Sequence, residues 1–470
     1  MSHQDYRQAL APTRRRRKRR AWEKGRKDTL NTFGVEEEFF LLDGETGLPA
    51  VPRGELLGLG THRLEGEIQK EWLACQIEFA TGVCQSPQDG LDQLRTFRRK
   101  LASAAQAEGL MAVGLGAVPA ISTETATVTD TDRYQRIAQH MPGIAAEHYL
   151  SGQHIHVGIE NREDGIVAMN ALRPWLPLLL AISANSPYWR AADTGFASWR
   201  TIQYRRWSVQ GIPPAFKDSR DYDRRLGRVL ASDVVLDSGH VGWAMRLSEN
   251  QPTVEIRVAD SQMRAADSVL LALLVRGLVD QAVKYPSRNR EFDPEFLDIA
   301  FWQAAKHGLD GPLLNPWTSS TTSTEAFLQT LLTHIEPACG TAGTMSTSVR
   351  NWKKQYVAAM GHAASARPSR RVRLVNCCSW PGTSWSCNHG GSFSYRWPAQ
   401  WLRRTALDGG RVDGGITRTL ARRRGPGADP ASRGRPMPVS GGAAGRVADP
   451  CPGNRQLWAA GHGPLPGAGP

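Results

Sequence analysis

Seven cysteines in 470 residues are too few and too badly placed for a disulfide framework. Only Cys75, Cys84 and Cys339 lie between residues 29 and 360, with no metal-type spacing among them. This excludes a disulfide-stapled secreted domain and fits a reduced, cytoplasmic protein. No secretory signal is visible and none is expected, because no apolar segment follows the basic stretch near residues 14–20. A membrane span needs about 20 apolar residues, and the best run, around Trp175–Ser183, is about a dozen long and contains Pro177. No Gly-x-x-x-x-Gly-Lys-Ser/Thr loop occurs, so a bound nucleotide must rest on another scaffold.

Residues 361–470 lack lysine and glutamate altogether. Ordinary disordered tails are rich in both. Here Gly, Pro, Arg, Ala and Ser dominate, with scattered Trp and Cys. The expectation is a low-complexity tail that is disordered or read out of frame. A low-complexity RNA-binding tail is the rival. Cys377, Cys378, Cys387 and His389 lack a second paired knuckle, so they do not read as a zinc site.

The formal charge of +13 comes from the two ends. Residues 1–28, with the basic run Arg14–Arg20, carry +8, and residues 361–470 carry +12. The intervening body is therefore mildly acidic, at −7. A high pI points to nucleic acid only when the basic residues belong to the folded domain, so nucleic acid is not the expected partner. The division is a basic disordered extension over 1–30, a catalytic domain over 31–350 and the biased tail over 361–470.

Within the body, Phe33–Leu42 reads as a strand closed by the turn residues Asp43-Gly44. Residues 72–80 and Met111–Ala117 read as two more. Ser86-Pro87-Gln88-Asp89 resembles a capping box with proline at the first helical position, opening a helix to about Glu108. An apolar helix follows Pro174 and stops at Asn185-Ser186-Pro187. Gln153–Glu160 and Thr253–Asp260 alternate as strands. Ala265–Lys284 has the period of a buried helix, and Glu325–Glu336 that of an amphipathic one.

Three of these strands share a pattern. The two-residue strand period puts Glu36 and Glu38 on one face, with Val35, Glu37 and Phe39 opposite. It puts His154 and His156 against Ile155 and Val157, and Glu255 and Arg257 against Val254, Ile256 and Val258. One side of the sheet is greasy and can carry helices. The other gathers carboxylates, imidazoles and a guanidinium. Crowded carboxylates repel one another and are costly to desolvate, and divalent cations relieve both costs. Carboxylates with some histidine suit Mg²⁺ or Mn²⁺ shared with the phosphates of a nucleotide. Arg257 then has a task, since its planar fork can hold a transferring phosphoryl group. Glu71 and Glu78, around the second strand, can add ligands. Asp132-Arg133-Tyr134 and Tyr204-Arg205-Arg206-Trp207 pair cations with aromatics, which suits gripping a carboxylate or stacking on adenine.

At these residues the sequence resembles the carboxylate–amine ligase, or type 2 glutamate–cysteine ligase, family. The matching segments are Phe33–Glu38, Gln76-Ile77-Glu78, Asp132-Arg133-Tyr134, Ser151–Gly158, Tyr204–Trp207, Thr253–Asp260 and Trp302–Gly311, in order from about residue 32 to 340. The resemblance implies a glutamine synthetase-like α+β fold, a curved antiparallel sheet forming a funnel with helices outside. It implies that ATP phosphorylates the γ-carboxylate of glutamate and that the amine of cysteine attacks the acyl phosphate. By position, Glu36, Glu38, Glu71, Glu78, His154 and Glu255 resemble the metal site. Arg257 resembles the phosphate contact, acting with Glu255, while Arg133, Arg205 and His156 are substrate contacts. ATP and Mg²⁺ (or Mn²⁺) are the implied cofactors and small molecules the partners, without a membrane; oligomeric state is open, a homodimer being one option. The family's closing C-terminal segment falls near residues 350–370, where this chain enters the biased region, so an inactive homologue is one alternative. The other is a metal-dependent hydrolase built on His-x-His, which needs His240 or His307 as a further ligand.

Overall fold

The computed structural model describes residues 31–54, 56, 66–121, 125–286 and 291–339. The basic extension, the biased tail, its cysteines and the expected closing segment lie outside them.

Strand β1 (Phe33–Asp43) is the hub of a seven-stranded antiparallel sheet. It pairs with β5 (Gly152–Gly158) along one edge. Along the other it pairs with β3 (Gln76–Thr81), while β4 (Leu110–Val113) takes the last part of the β5 edge, Phe40–Asp43. β2 (Gly66–Lys70) extends the sheet beyond β3. On the far side β5 pairs with β7 (Thr253–Asp260), which pairs with β6 (Met245–Leu247). Register follows the hydrophobic pattern, since a one-residue slip would turn every greasy side chain to the wrong face.

Helices cover the greasy face. α1 (Pro87–Ala107) begins with the expected capping box, in which Ser86 and Asp89 cap each other's backbone. Its buried stripe is Leu94, Phe97, Leu101 and Ala105. Asp132–His140 (α2) lies apart from this layer, whereas Arg162–Leu172 (α3) and Leu176–Ser183 (α4) belong to the main core. Trp199–Tyr204 (α5) and Ser219–Leu230 (α6) follow. Ala265–Lys284 (α7) spans the predicted residues and packs across β5 and β1. Pro294–His307 (α8) and Thr324–Cys339 (α9) complete the set. Helices on one face of an antiparallel sheet make the fold α+β.

An ion pair is buried on the greasy face. Glu37 on β1 meets Arg98 of α1 at 2.7 Å, and the Ser268 hydroxyl of α7 also donates to it. Arg98 donates further to the carbonyls of Gln262 and Met263. Two helices and the β7–α7 turn are thus tied to the central strand.

Three expectations need correction. The strand placed at 72–80 occupies Gln76–Thr81, because Trp72 and Leu73 turn into a second apolar cluster with Trp207 and Tyr149. β4 ends at Val113, ahead of Gly114 and Gly116. The apolar run is also longer than predicted. α3, a short 3₁₀ turn and α4 make a continuous Arg162–Ser183 segment of 22 residues, long and apolar enough to cross a membrane, yet 83% of its most apolar window is buried in the fold. The pattern had hidden its length because Pro174 and Pro177 sit at the first positions of new turns, where proline is tolerated.

Candidate active site

The polar face is assembled by register. Glu36 lies opposite His154, Glu38 opposite Glu78, His156 opposite Glu255, and Glu255 opposite Arg246. Directly opposed residues have their Cβ atoms about 5 Å apart, so five adjacent strands deliver these seven polar side chains to one wall.

Glu36 is the junction of the first group. Its Oε2 lies 2.9 Å from His154 Nδ1, and its Oε1 lies 3.0 Å from His156 Nε2. Burial pushes Glu36 up, but hydrogen bonds to both imidazoles outweigh it and hold the carboxyl well below its ordinary value. Burial likewise opposes the charged form of His156, and Glu36 overcomes it, raising that imidazole. Thr253 Oγ1, 2.9 Å from Nδ1, fixes its ring. His154 goes the other way, down to about 4, through burial and the Arg257 guanidinium. The neutral ring lies within 4.0 Å of Glu36, Glu38 and Glu255.

Glu255 is clasped by two arginines. Arg257 Nη1 donates to Oε1. Arg246 grips both oxygens, at 2.7 and 3.1 Å. Burial alone would raise Glu255, and the charges of Arg257 and Arg246 hold it far below the carboxylate range. Arg246 also donates to the carbonyls of Ser238 and Gly239, at 2.8 and 3.2 Å, which anchors the 238–240 turn.

The second group is Glu38, Glu71 and Glu78. Glu71 follows the last residue of β2, and Glu78 faces Glu38 across β1 and β3. Glu38 accepts the Gly152 N–H at 2.7 Å, and Glu71 accepts the Tyr134 hydroxyl at 3.3 Å. No arginine or lysine forms an ion pair with any of the three among the described residues. Burial and the neighbouring Glu71 push Glu38 up to about 8, and burial with Glu71, Glu36 and Glu38 raises Glu78 well above its ordinary value.

Both groups have donor sets that fit a cation. Glu38, Glu71 and Glu78 bring oxygen atoms within 4.8 Å of one another, as Glu36, His156 and Glu255 bring their ligand atoms. Three carboxyls suit a hard divalent ion such as Mg²⁺, and the mixed oxygen and nitrogen set suits Mg²⁺ or Mn²⁺. The burial and mutual repulsion that raise Glu38 and Glu78 are costs a bound cation would relieve.

The structure brings together Glu36, Glu38, Glu71, Glu78, His154, His156, Glu255 and Arg257. It exchanges the two histidines: His156 belongs to the cation-capable triple, while His154 is enclosed by carboxylates and Arg257. Arg133 and Arg205 are engaged elsewhere. Asp237 takes Arg133 in a bidentate pair at 2.7 and 3.0 Å, and Asp298 takes Arg205 at 2.6 Å. The hydrolase alternative also loses His240, whose Nδ1 accepts the Leu236 N–H while its ring packs on Trp207. Sequence reasoning missed Arg246 and the buried Arg200. Met-Arg-Leu in β6 alternates around Arg246, but three residues are too short a run to read.

A family model described as "Glutamate-cysteine ligase family 2(GCS2)" matches residues 32–365. A Nocardia farcinica protein named "Putative glutamate--cysteine ligase 2-1" is 39% identical over 310 residues, covering 65% of this chain and 80% of its own. A Saccharopolyspora erythraea protein of the same name is 40% identical over 307 residues, covering 65% and 81%. The crystal structure of the Francisella tularensis glutamate–cysteine ligase in complex with AMP superposes with a TM-score of 0.53 at 11% identity, over 70% of this chain and 82% of that one. A bifunctional glutathione synthetase from Pasteurella multocida gives a TM-score of 0.50 at 13% identity, over 69% and 48%. At these identities the two structures speak for the fold alone.

Proposed function

The chain belongs to glutamate–cysteine ligase family 2, whose enzymes form a carbon–nitrogen bond, and from that premise we propose that it joins the γ-carboxylate of glutamate to the amino group of cysteine at the expense of ATP. The observation that carries the reading is the convergence of Glu36, Glu38, Glu71, Glu78, His154, His156, Glu255 and Arg257 on one wall. The catalytic domain covers residues 31–350, and the setting is cytoplasmic.

A carboxylate oxygen is a poor leaving group, so the acid is first phosphorylated. Its oxygen attacks the γ-phosphorus and ADP departs. The amine then attacks the acyl carbon, inorganic phosphate leaves, and the nitrogen gives up a proton. Arg257 meets the transferring phosphoryl group, and a guanidinium placed there is worth several orders of magnitude in rate. Glu255 holds Arg257 at its post, and Arg246 holds Glu255. Glu38, Glu71 and Glu78 form one cation seat, and Glu36, His156 and Glu255 the other. Cations bound there would neutralise the β- and γ-phosphates. His154 stays neutral between them and fixes the orientation of Glu36.

ADP release, measured with ATP, Mg²⁺, glutamate and cysteine, tests the reading. It predicts ADP and γ-glutamylcysteine in equal amounts, with both lost in Glu36→Gln. ADP release that ignores the acid, or an unchanged Glu36→Gln, would contradict it.

A further inference from the structure

Glu37 lies between Glu36 and Glu38 on β1 but faces away from them, into the greasy side, and has no role in the scheme above. Its carboxylate is 1% exposed. Arg98 of α1 meets it with two donors, Nε at 3.0 Å and Nη2 at 2.7 Å. The same guanidinium donates to the carbonyls of Met263 and Gln262, at 2.6 and 2.9 Å. Stability alone does not call for such a pair. Desolvation consumes much of the attraction between buried charges, and apolar side chains of similar volume often serve the fold as well. What the pair adds is direction, because a bidentate fork fixes a carboxylate in both plane and distance.

The turn that Arg98 grips is itself knotted to the strands of the site. Ser261 Oγ lies 2.8 and 2.7 Å from the carbonyl oxygens of Glu38 and Gly152. The Gln262 amide donates to the carbonyls of Ser183 and Asp260, both at 2.8 Å. Space around the turn is tight: a Cβ at Gly114 would fall 2.4 Å from the Gln262 carbonyl oxygen. Arg98 thus joins Glu37 of β1 to a turn that also holds the backbone of Glu38.

We propose that Glu37 and Arg98 are positioning residues for the two cation seats, acting from the opposite side of the sheet. Successive side chains of a strand point to opposite faces, so anchoring Glu37 from below sets the height of Glu36 and Glu38 above. Glu36 belongs to one seat and Glu38 to the other, so one anchor serves both. Groups that orient metal ligands from behind are commonly worth about 10–100-fold in metal affinity. The assignment deepens the ligase reading and rests on its cation seats.

Mn²⁺ binding to the nucleotide-free protein, followed by electron paramagnetic resonance, reads the seats without turnover. Two variants are compared with the wild type. Glu37→Met combined with Arg98→Met removes both charges and leaves neither unpaired. Arg98→Lys keeps the charge and loses the fork. The double variant should melt near the wild-type temperature without metal, while its Mn²⁺ dissociation constant rises by about 10–100-fold and kcat for ADP release falls. Arg98→Lys should show a smaller rise, and it is the readout if the double variant does not fold. A pair that serves the fold alone would move the melting temperature and not the dissociation constant. Folded variants that keep the wild-type Mn²⁺ affinity overturn the proposal. A wild type that binds no Mn²⁺ removes the seats, and the proposal with them. Mn²⁺ binding without ADP release from glutamate and cysteine is a failure of the ligase reading alone.

Discussion

Glu38, Glu71 and Glu78 crowd three carboxyls together with no arginine or lysine paired to them among the described residues, whereas beside them Glu36 is held by His154 and His156 and Glu255 by two arginines. Both groups are built from the same face of the same sheet. In the first, burial and mutual repulsion push Glu38 and Glu78 toward the protonated form. In the second, imidazoles and guanidiniums keep Glu36 and Glu255 charged despite burial. An external cation would relieve the first group of its repulsion. The second is balanced from within, and its carboxylate oxygens are largely occupied before any ligand arrives.

The largest effect expected from breaking this contrast is at Arg257. Arg257→Ala should cut ADP release by about 10³-fold or more, since the phosphoryl group loses its guanidinium. Glu255 keeps Arg246, so the melting temperature should move far less than the rate.

The next effect concerns metal. With Mg²⁺ or Mn²⁺ at about 100 times its dissociation constant, the wild type should gain about 2.7 kcal/mol of stability. Glu78→Gln should lose that gain, yet be no less stable than the wild type without metal, because a repelling carboxyl has gone. Thermal shifts with and without metal check both halves. A metal-free protein destabilised by Glu78→Gln would count against the contrast.

Arg246→Gln attacks the balanced group. It strips Glu255 of its bidentate partner and frees the 238–240 turn, which should cost about 1–3 kcal/mol in denaturant unfolding. Arg257 retains one bond to Glu255, so the loss should stay below that of an unpaired buried charge.

The smallest effect calibrates burial alone. Asp280 on α7 is raised to about 6 chiefly by burial, with Asn31 donating to it at 2.5 Å. Because the folded value exceeds the unfolded one, the protonated carboxyl stabilises the fold at low pH, and that stability is lost as pH rises from about 4 to 6. Wild-type stability should fall by roughly 1 kcal/mol per pH unit across that window relative to Asp280→Asn. Parallel pH profiles of the two proteins would remove Asp280 as the cause.

The sheet was legible where alternation ran long enough. β1 and β7 lie where the pattern placed them, and α7 runs over its predicted residues. The wall of Glu36, Glu38, His154 and Glu255 followed from the same two-residue period. What stayed hidden depended on distant partners. Arg133 and Arg205 beside aromatics read alike whether they await a ligand or an aspartate. Asp237 and Asp298, which claim them, lie 104 and 93 residues along the chain. Arg246 and Arg200 sit on elements of three and six residues, too short to show a period. Which histidine completes a cation seat depended on the ring positions that Thr253 and Glu36 impose.

Mn²⁺ titration followed by electron paramagnetic resonance tests the unequal charge balance of the two groups most directly. Without nucleotide, one Mn²⁺ should bind tightly and disappear in Glu78→Gln; a second should appear only when a non-hydrolysable ATP analogue is added. Two equally tight ions in the nucleotide-free protein, or none under either condition, would contradict the account.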